Sequence, residues 1–125
     1  MLFRSVIGVE SSDGPAMKVS VDAGRLETID CRTIIDGLRV RRVGEINLSV
    51  VQRFVDDIVT LPDSDIFDAV VWVMERCKLV VEGAAAAPVG ALLHGLIKLP
   101  AGSRVAVVLS GGNVNLDQLR GLKWN

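Results

Sequence analysis

This chain is poor in the residues that metal centres and disulfide frameworks need. Cys31 and Cys77 stand far apart with no Cys-x-x-Cys spacing, and His94 is the single histidine. A structural zinc site and a disulfide framework are therefore not expected. Cys77 falls in an apolar helical pattern and reads as a small core hydrophobe. Charge of one sign is also lacking, with 14 Lys and Arg against 15 Asp and Glu. The basic stripe of a nucleic-acid binder is absent, and the densest basic cluster, Arg39, Arg41 and Arg42, reads as a solvated face. No apolar run approaches the roughly 18 residues of a membrane-spanning helix. Residues 1–10 show neither the h-region nor the cleavage site of a secretory signal. A cytoplasmic protein is the expectation.

What is present is core material. Half of the 125 residues are apolar, enough for one domain with a real core and too few for two. The most informative stretch lies near the C-terminus. Val105-Ala106-Val107-Val108-Leu109 is a continuous apolar run that reads as a strand buried on both faces. Ser110-Gly111-Gly112-Asn113 then breaks it. Adjacent glycines permit positive φ and close approach of another group. A strand ending in Ser-Gly-Gly suits the carboxyl edge of an open α/β sheet, where ligands bind.

The remaining chain alternates strand and helix signals. Strands are expected over 6–10, 57–60 and 104–109. Ala16–Ala23 suits a short helix closed by Gly24, and Leu48–Val55 places Leu48, Val51 and Val55 on one face. Pro62 suits a first helical position. After it, Ile66, Ala69, Val70, Val73, Met74 and Cys77 recur at helical spacing, with Asp63 and Asp65 at the positive end of the dipole. Ala84–Ile97 reads as an Ala-rich helix with Pro88 near its first turn, and its bare N-terminal end admits close approach. Asn115–Leu122 suits a short terminal helix or turn. The fold class expected is α/β, a partial, mainly parallel sheet with flanking helices. Three strands are few for an independent domain.

Five strings in order carry a resemblance: Val6-Ile7-Gly8-Val9-Glu10, Ile35-Asp36-Gly37-Leu38, Phe54-Val55-Asp56-Asp57-Ile58-Val59, Val80-Val81-Glu82-Gly83-Ala84 and Leu109-Ser110-Gly111-Gly112-Asn113-Val114. Together they resemble the C-terminal part of the threonine dehydratases (threonine ammonia-lyases) and serine racemases that depend on pyridoxal 5'-phosphate (PLP). The resemblance spans essentially the whole chain. It implies fold type II, the tryptophan synthase β-like architecture, with residues 1–125 as a C-terminal segment of the large catalytic domain. The family's Schiff-base lysine and glycine-rich phosphate loop lie upstream of these strings. Lys18, Lys78, Lys98 and Lys123 lie outside any segment like the lysine motif. The chain is thus expected to be a fragment, inactive alone. Leu2-Phe3-Arg4-Ser5 is also what a common sequencing-adapter end encodes, so an artefactual start over residues 1–5 is one hypothesis.

The resemblance implies PLP as cofactor and assigns site residues. Ser110 would place its hydroxyl at the pyridine nitrogen. A hydroxyl can donate to an unprotonated nitrogen, whereas a carboxylate there holds it protonated. The unprotonated ring is the weaker electron sink, which suits β-elimination of a hydroxyl. Without the resemblance, Ser110 reads first as a turn serine satisfying backbone groups. Gly111 and Gly112 would give the ring room, or form an ordinary turn. Glu82 would either cap the following helix or point inward to orient water. Gly37, with Asp36, would line the cofactor's face or form a plain turn. Where the family often has glycine this chain has Ala85, which would tighten packing. Glu10 matches a residue that in serine racemases helps hold a divalent cation with a downstream Asp. Ala16 stands at that Asp position, which counts against a metal site. His94 reads as a mid-helix packing or surface residue.

The implied reaction is conversion of L-threonine to 2-oxobutanoate and ammonia, with L-serine as a lesser substrate. Serine racemase or another hydroxy-amino-acid dehydratase is the alternative within the family, and a non-catalytic α/β binding module the alternative outside it. The implied partners are a small amino acid and, for the full-length enzyme, further copies of itself; neither nucleic acid nor membrane is expected. No regulatory amino-acid-binding domain is evident before Asn125, so allosteric control by isoleucine is not indicated.

Overall fold

The computed structural model describes residues 4–121. The expectations that touch Met1–Phe3, Leu122 and Lys123 lie outside these residues. Strand β1 (Ile7–Ser11) pairs in parallel with β2 (Asp57–Leu61), Ile7 opposite Asp57 and Ser11 opposite Leu61. Parallel neighbours need a long crossover. Here it contains helix α1 (Ala16–Ala23), a 3-10 turn at Asp36–Leu38 and helix α2 (Glu45–Phe54). Helices α3 (Asp63–Cys77), α4 (Gly83–Leu93) and α5 (Leu116–Gly121) follow β2. The class is α/β with a small parallel sheet, as expected.

The third expected strand does not form. Residues 103–115 pair with no strand among the described residues, and Val105 and Val108 are 52 % and 76 % exposed. The reason is the absence of a neighbour. A ladder needs a second backbone beside it, and neither free edge of the β1–β2 sheet pairs with this run. The apolar run has the composition of a central strand without the sheet that would bury it.

The helices follow their local signals with instructive shifts. Gly24 closes α1 in the left-handed region (φ 68°), donating its N–H to the carbonyls of Ser20 and Val21. Helix α2 begins at Glu45 rather than Leu48, because extended Gly44 already accepts the Leu48 N–H. Pro62 is the N-cap of α3, with Asp63 the first helical residue. The expected stripe is buried at Ile66, Ala69, Val70 and Val73, but Cys77 is exposed rather than packed. The core at that end is closed by Val81 from the next segment. Lys78 ends α3 at φ 58°, where a side chain is strained.

Helix α4 stops at Leu93, short of Ile97, where the chain turns through Gly95 at φ 66°. Pro88 sits in its second turn and costs the bond to the Ala84 carbonyl. Such a helix survives because it is buried. Ala85, Ala86, Ala87, Gly90 and Ala91 are all enclosed by α3 and the strands. A Cβ on Gly90 would stand 2.8 Å from Leu61 Cδ1. The absence of bulk in α4 is what lets the sheet and α3 close on it.

A polar knot fixes the carboxyl end of the sheet. The Asp63 carboxylate accepts hydrogen bonds from Ser11 Oγ at 2.5 Å, Thr33 Oγ1 at 2.7 Å and the Ile34 N–H at 2.8 Å. Ser11 Oγ in turn accepts the Asp13 N–H, and Thr33 Oγ1 the Ile35 N–H. The strand end, the start of α3 and the 33–35 segment are thereby held at one point. Among the described residues no buried side-chain polar atom lacks a partner, as a stable interior requires.

Candidate functional site

The knot presents Ile35-Asp36-Gly37 toward the N-terminal end of α4, and a cleft of about 290 Å3 opens between them. Phe67, Val70, Val81 and Leu119 make its apolar walls. Asp36, Glu82, Asn113 and Gln118 supply its polar groups, and among the described residues no Lys, Arg or His lines it. Its electrostatics are those of hydrogen-bond acceptors beside one helix N-terminus.

Glycine is required where the lips of the cleft meet. A Cβ on Gly37 would fall 2.7 Å from Ala84 Cβ, and one on Gly83 would fall 2.9 Å from Ile35 Cγ2. The 3-10 turn and the start of α4 touch only because both positions lack side chains. Glu82 is the N-cap of α4, and its carbonyl accepts the Ala86 N–H. Its carboxylate makes no capping bond, so the helix-cap reading of that side chain fails. It leans instead toward Gly111, whose Cβ, if present, would stand 2.7 Å from Glu82 Oε1. The Glu82 N–H also donates to the Gly111 carbonyl at 3.1 Å.

Gly37, Glu82 and Gly111 thus come together from three separate strings. Gly112 lies against the Val80 carbonyl, 3.0 Å from its would-be Cβ. Neither Gly111 nor Gly112 takes positive φ; both are small for close approach alone. Ser110 is exposed and stands one residue before the Glu82 contact, outside the cleft lining. Phe67, Gln118 and Leu119 line the cleft and were not singled out from the sequence. Phe67 is adjacent to the buried stripe of α3, and the six residues of α5 carry too short a pattern to reveal a face.

Two further residues take definite places. Both oxygens of Glu10 are used at the start of α1, accepting the Met17 N–H at 2.9 Å and the Lys18 N–H at 2.8 Å. His94 is not mid-helix but the C-cap of α4, exposed, with Nδ1 3.6 Å from Asp65 Oδ2. Asp65, Asp68 and His94 bring their ligating atoms within 4.8 Å of one another, at the end of α4 opposite the cleft. Exposed acidic groups commonly gather this way without a metal.

The family model of the pyridoxal-phosphate dependent enzymes matches residues 4–111. The chain belongs to this family. It is 36 % identical over 116 residues to the L-threonine ammonia-lyase of Thermotoga maritima, covering 91 % of this chain and 28 % of that enzyme. The catabolic L-threonine dehydratase of Escherichia coli is 34 % identical over 91 % of this chain and 35 % of its own length. Among solved structures, a threonine deaminase from T.th. superposes with a TM-score of 0.81 at 34 % identity, over 89 % of this chain and 40 % of that one. Maize serine racemase gives 0.83 at 30 % identity, over 93 % and 38 %. The chain spans about a third of the length of these relatives.

The cleft can be tested against the family's cofactor. PLP combines an aromatic ring with an anionic phosphate. The apolar walls, the glycines at the lips and the acceptors at the rim fit the ring and groups that donate to them. Among the described residues the lining holds Asp36 and Glu82 and no cation, so this part of the cleft does not fit the phosphate. This pyridoxal-phosphate family segment therefore suits the ring side of the group. Among the described residues no helix is long and apolar enough to cross a membrane.

Proposed function

We propose that this chain supplies the C-terminal part of the catalytic domain of a PLP-dependent dehydratase acting on hydroxy-amino acids. L-Threonine would yield 2-oxobutanoate and ammonia, with L-serine the lesser substrate. The observation that carries the reading is the approach of Gly37 and Gly111 to the Glu82 carboxylate at the edge of the cleft. The named relatives, threonine ammonia-lyases and dehydratases, agree with it. The Schiff-base lysine and the phosphate loop would come from sequence outside residues 1–125. The full-length enzyme is expected to work as a homo-oligomer in the cytoplasm.

PLP, when bound, withdraws electrons from the substrate's α-carbon. The residues of this chain tune and shelter that chemistry. The Ser110 hydroxyl would donate to the ring nitrogen and leave it without a proton of its own. Gly111 and Gly112 keep the approach free of side chains. The Gly37 backbone and the apolar walls would line the ring's surroundings and exclude water from them. The Glu82 carboxylate would accept from water or a substrate donor near the mouth of the cleft.

Serine racemase is the second reading, favoured by the likeness to the maize enzyme. Against it, both Glu10 oxygens are already committed to α1 and Ala16 is fully buried, so a divalent-cation site built there lacks its ligands. The experiment is to assay the full-length product of the coding locus with PLP and either L-threonine or L-serine. Sustained, PLP-dependent 2-oxobutanoate from threonine is expected, with none from the 125-residue chain alone. D-Serine formation without ammonia release would favour the racemase. Activity of the short chain would overturn the fragment reading.

A further inference from the structure

Residues 104–114 make a single backbone hydrogen bond to the rest of the described chain, from the Glu82 N–H to the Gly111 carbonyl. An extended segment with exposed side chains and one such bond is poorly fixed by itself. The same residue supplies a second point of contact. Glu82 Oε1, Cδ and Oε2 would lie 2.7, 3.0 and 3.4 Å from a Cβ on Gly111, so the carboxylate fills the space that a side chain there would take. No hydrogen bond from another described side chain holds that carboxylate. Its position is set by packing on the turn.

We propose that Glu82 is a positioning residue for the Ser110-Gly111-Gly112 turn, a two-point clamp made of its backbone N–H and its carboxylate. The clamp explains why glycine follows Ser110 although its backbone does not take positive φ. It also implies that Glu82 acts on the Ser110 hydroxyl through the turn rather than by contact. The inference deepens the proposed role of Ser110 and rests on it for its functional meaning. The clamp itself is a geometric claim that stands or falls separately.

The test is a double-mutant cycle in the full-length product of the coding locus, read by amide hydrogen exchange at residue 82 and by amide shifts of residues 110–113. Glu82→Ala should speed exchange at residue 82 about tenfold or more, because the bond keeps one of its two supports. Glu82→Gln has the same shape and should restore slow exchange. Gly111→Ala should evict the carboxylate and speed exchange comparably. In the Glu82→Ala background, Gly111→Ala should add almost nothing, since its Cβ enters the emptied space. Additive effects, or unchanged exchange in Glu82→Ala, would overturn the clamp. If Gly111→Ala alone fails to fold, recovery of the fold in the double variant supports the clamp, and failure of both overturns it. Titration with PLP tests the site reading independently. Shifts at residues 110–113 in wild type that weaken in Glu82→Ala support both. A clamp that passes the cycle while PLP bound to the full-length enzyme moves nothing at residues 110–113 sinks the ring-contact reading of Ser110 and leaves the clamp intact.

Discussion

Asp63 should be the costliest exposed-edge carboxylate to remove from this fold. Its side chain accepts from two buried hydroxyls, Ser11 (0 % exposed) and Thr33 (2 %), and from the Ile34 N–H. Each hydroxyl accepts one backbone N–H and donates its only proton to the Asp63 carboxylate. Truncation to alanine leaves both protons buried without an acceptor, at about 1–3 kcal/mol each. Ile34 is exposed, so its N–H can turn to water at little cost. Loss of a negative charge at the start of α3 adds about 0.3–1 kcal/mol. Asp63→Ala is therefore expected to destabilise by about 2–7 kcal/mol, a large share of the roughly 5–15 kcal/mol that holds a domain together.

Asp63→Asn separates the contributions. One oxygen remains for the hydroxyls, but an NH2 replaces the acceptor that faces the Ile34 N–H, so about half the alanine cost is expected. Urea unfolding followed by circular dichroism measures both, the midpoint shifting at constant slope if the change lies in the native state. Ser11→Ala combined with Asp63→Ala should cost less than the two separately, since they remove the same bond. A cost below about 1 kcal/mol for Asp63→Ala, or strict additivity with Ser11→Ala, would refute the reasoning.

The remaining predictions concern single local features. Lys78→Gly should raise stability by about 1 kcal/mol, because it relieves a left-handed residue with a side chain at the end of α3; a lowered urea midpoint would contradict this. Gly90→Ala should lower stability by about 1–3 kcal/mol, since its Cβ meets Leu61 Cδ1 at 2.8 Å and the Asp65 carbonyl at 3.3 Å; thermal melting would show it. Glu10→Ala frees the Met17 and Lys18 N–H groups and should cost about 1–2 kcal/mol. If Glu10 instead held a cation, added Mg2+ would stabilise wild type and not the variant.

The parts of this fold that were legible in the sequence are those decided by near neighbours. Gly24 ends α1 because only the next turn is involved, and the Ile66 to Val73 stripe needs only the period of one helix. The strand expected at 104–109 was misread for the opposite reason. Five apolar residues announce a central strand, but strandedness is a property of a pair, and among the described residues no strand pairs with them. Cys77 failed similarly, since periodicity gives the direction of a side chain and not where the partner surface stops. At the site, the Glu-Gly and Ser-Gly-Gly strings were visible, and the neighbour that the structure places against Gly111 is the Glu82 side chain. That Gly111 faces Glu82 was not visible, because it joins segments separated by all of α4.

The two carboxylates at this end of the molecule argue for different work. Asp63 is saturated: three donors converge on it, two of them buried, and every lone pair it offers to the interior is used. A carboxylate in that state has nothing left for a ligand, and its removal is felt as lost stability. Glu82 accepts from no described donor, borders the cleft and rests in a space cleared by glycine. Its charge is uncommitted and faces where a ligand would lie. Glu82→Gln should then change stability by less than about 0.5 kcal/mol, as surface substitutions do, while Asp63→Asn costs several times more. Measured side by side in urea, comparable losses for the two would mean that Glu82 too is part of the scaffold rather than an acceptor held for a ligand.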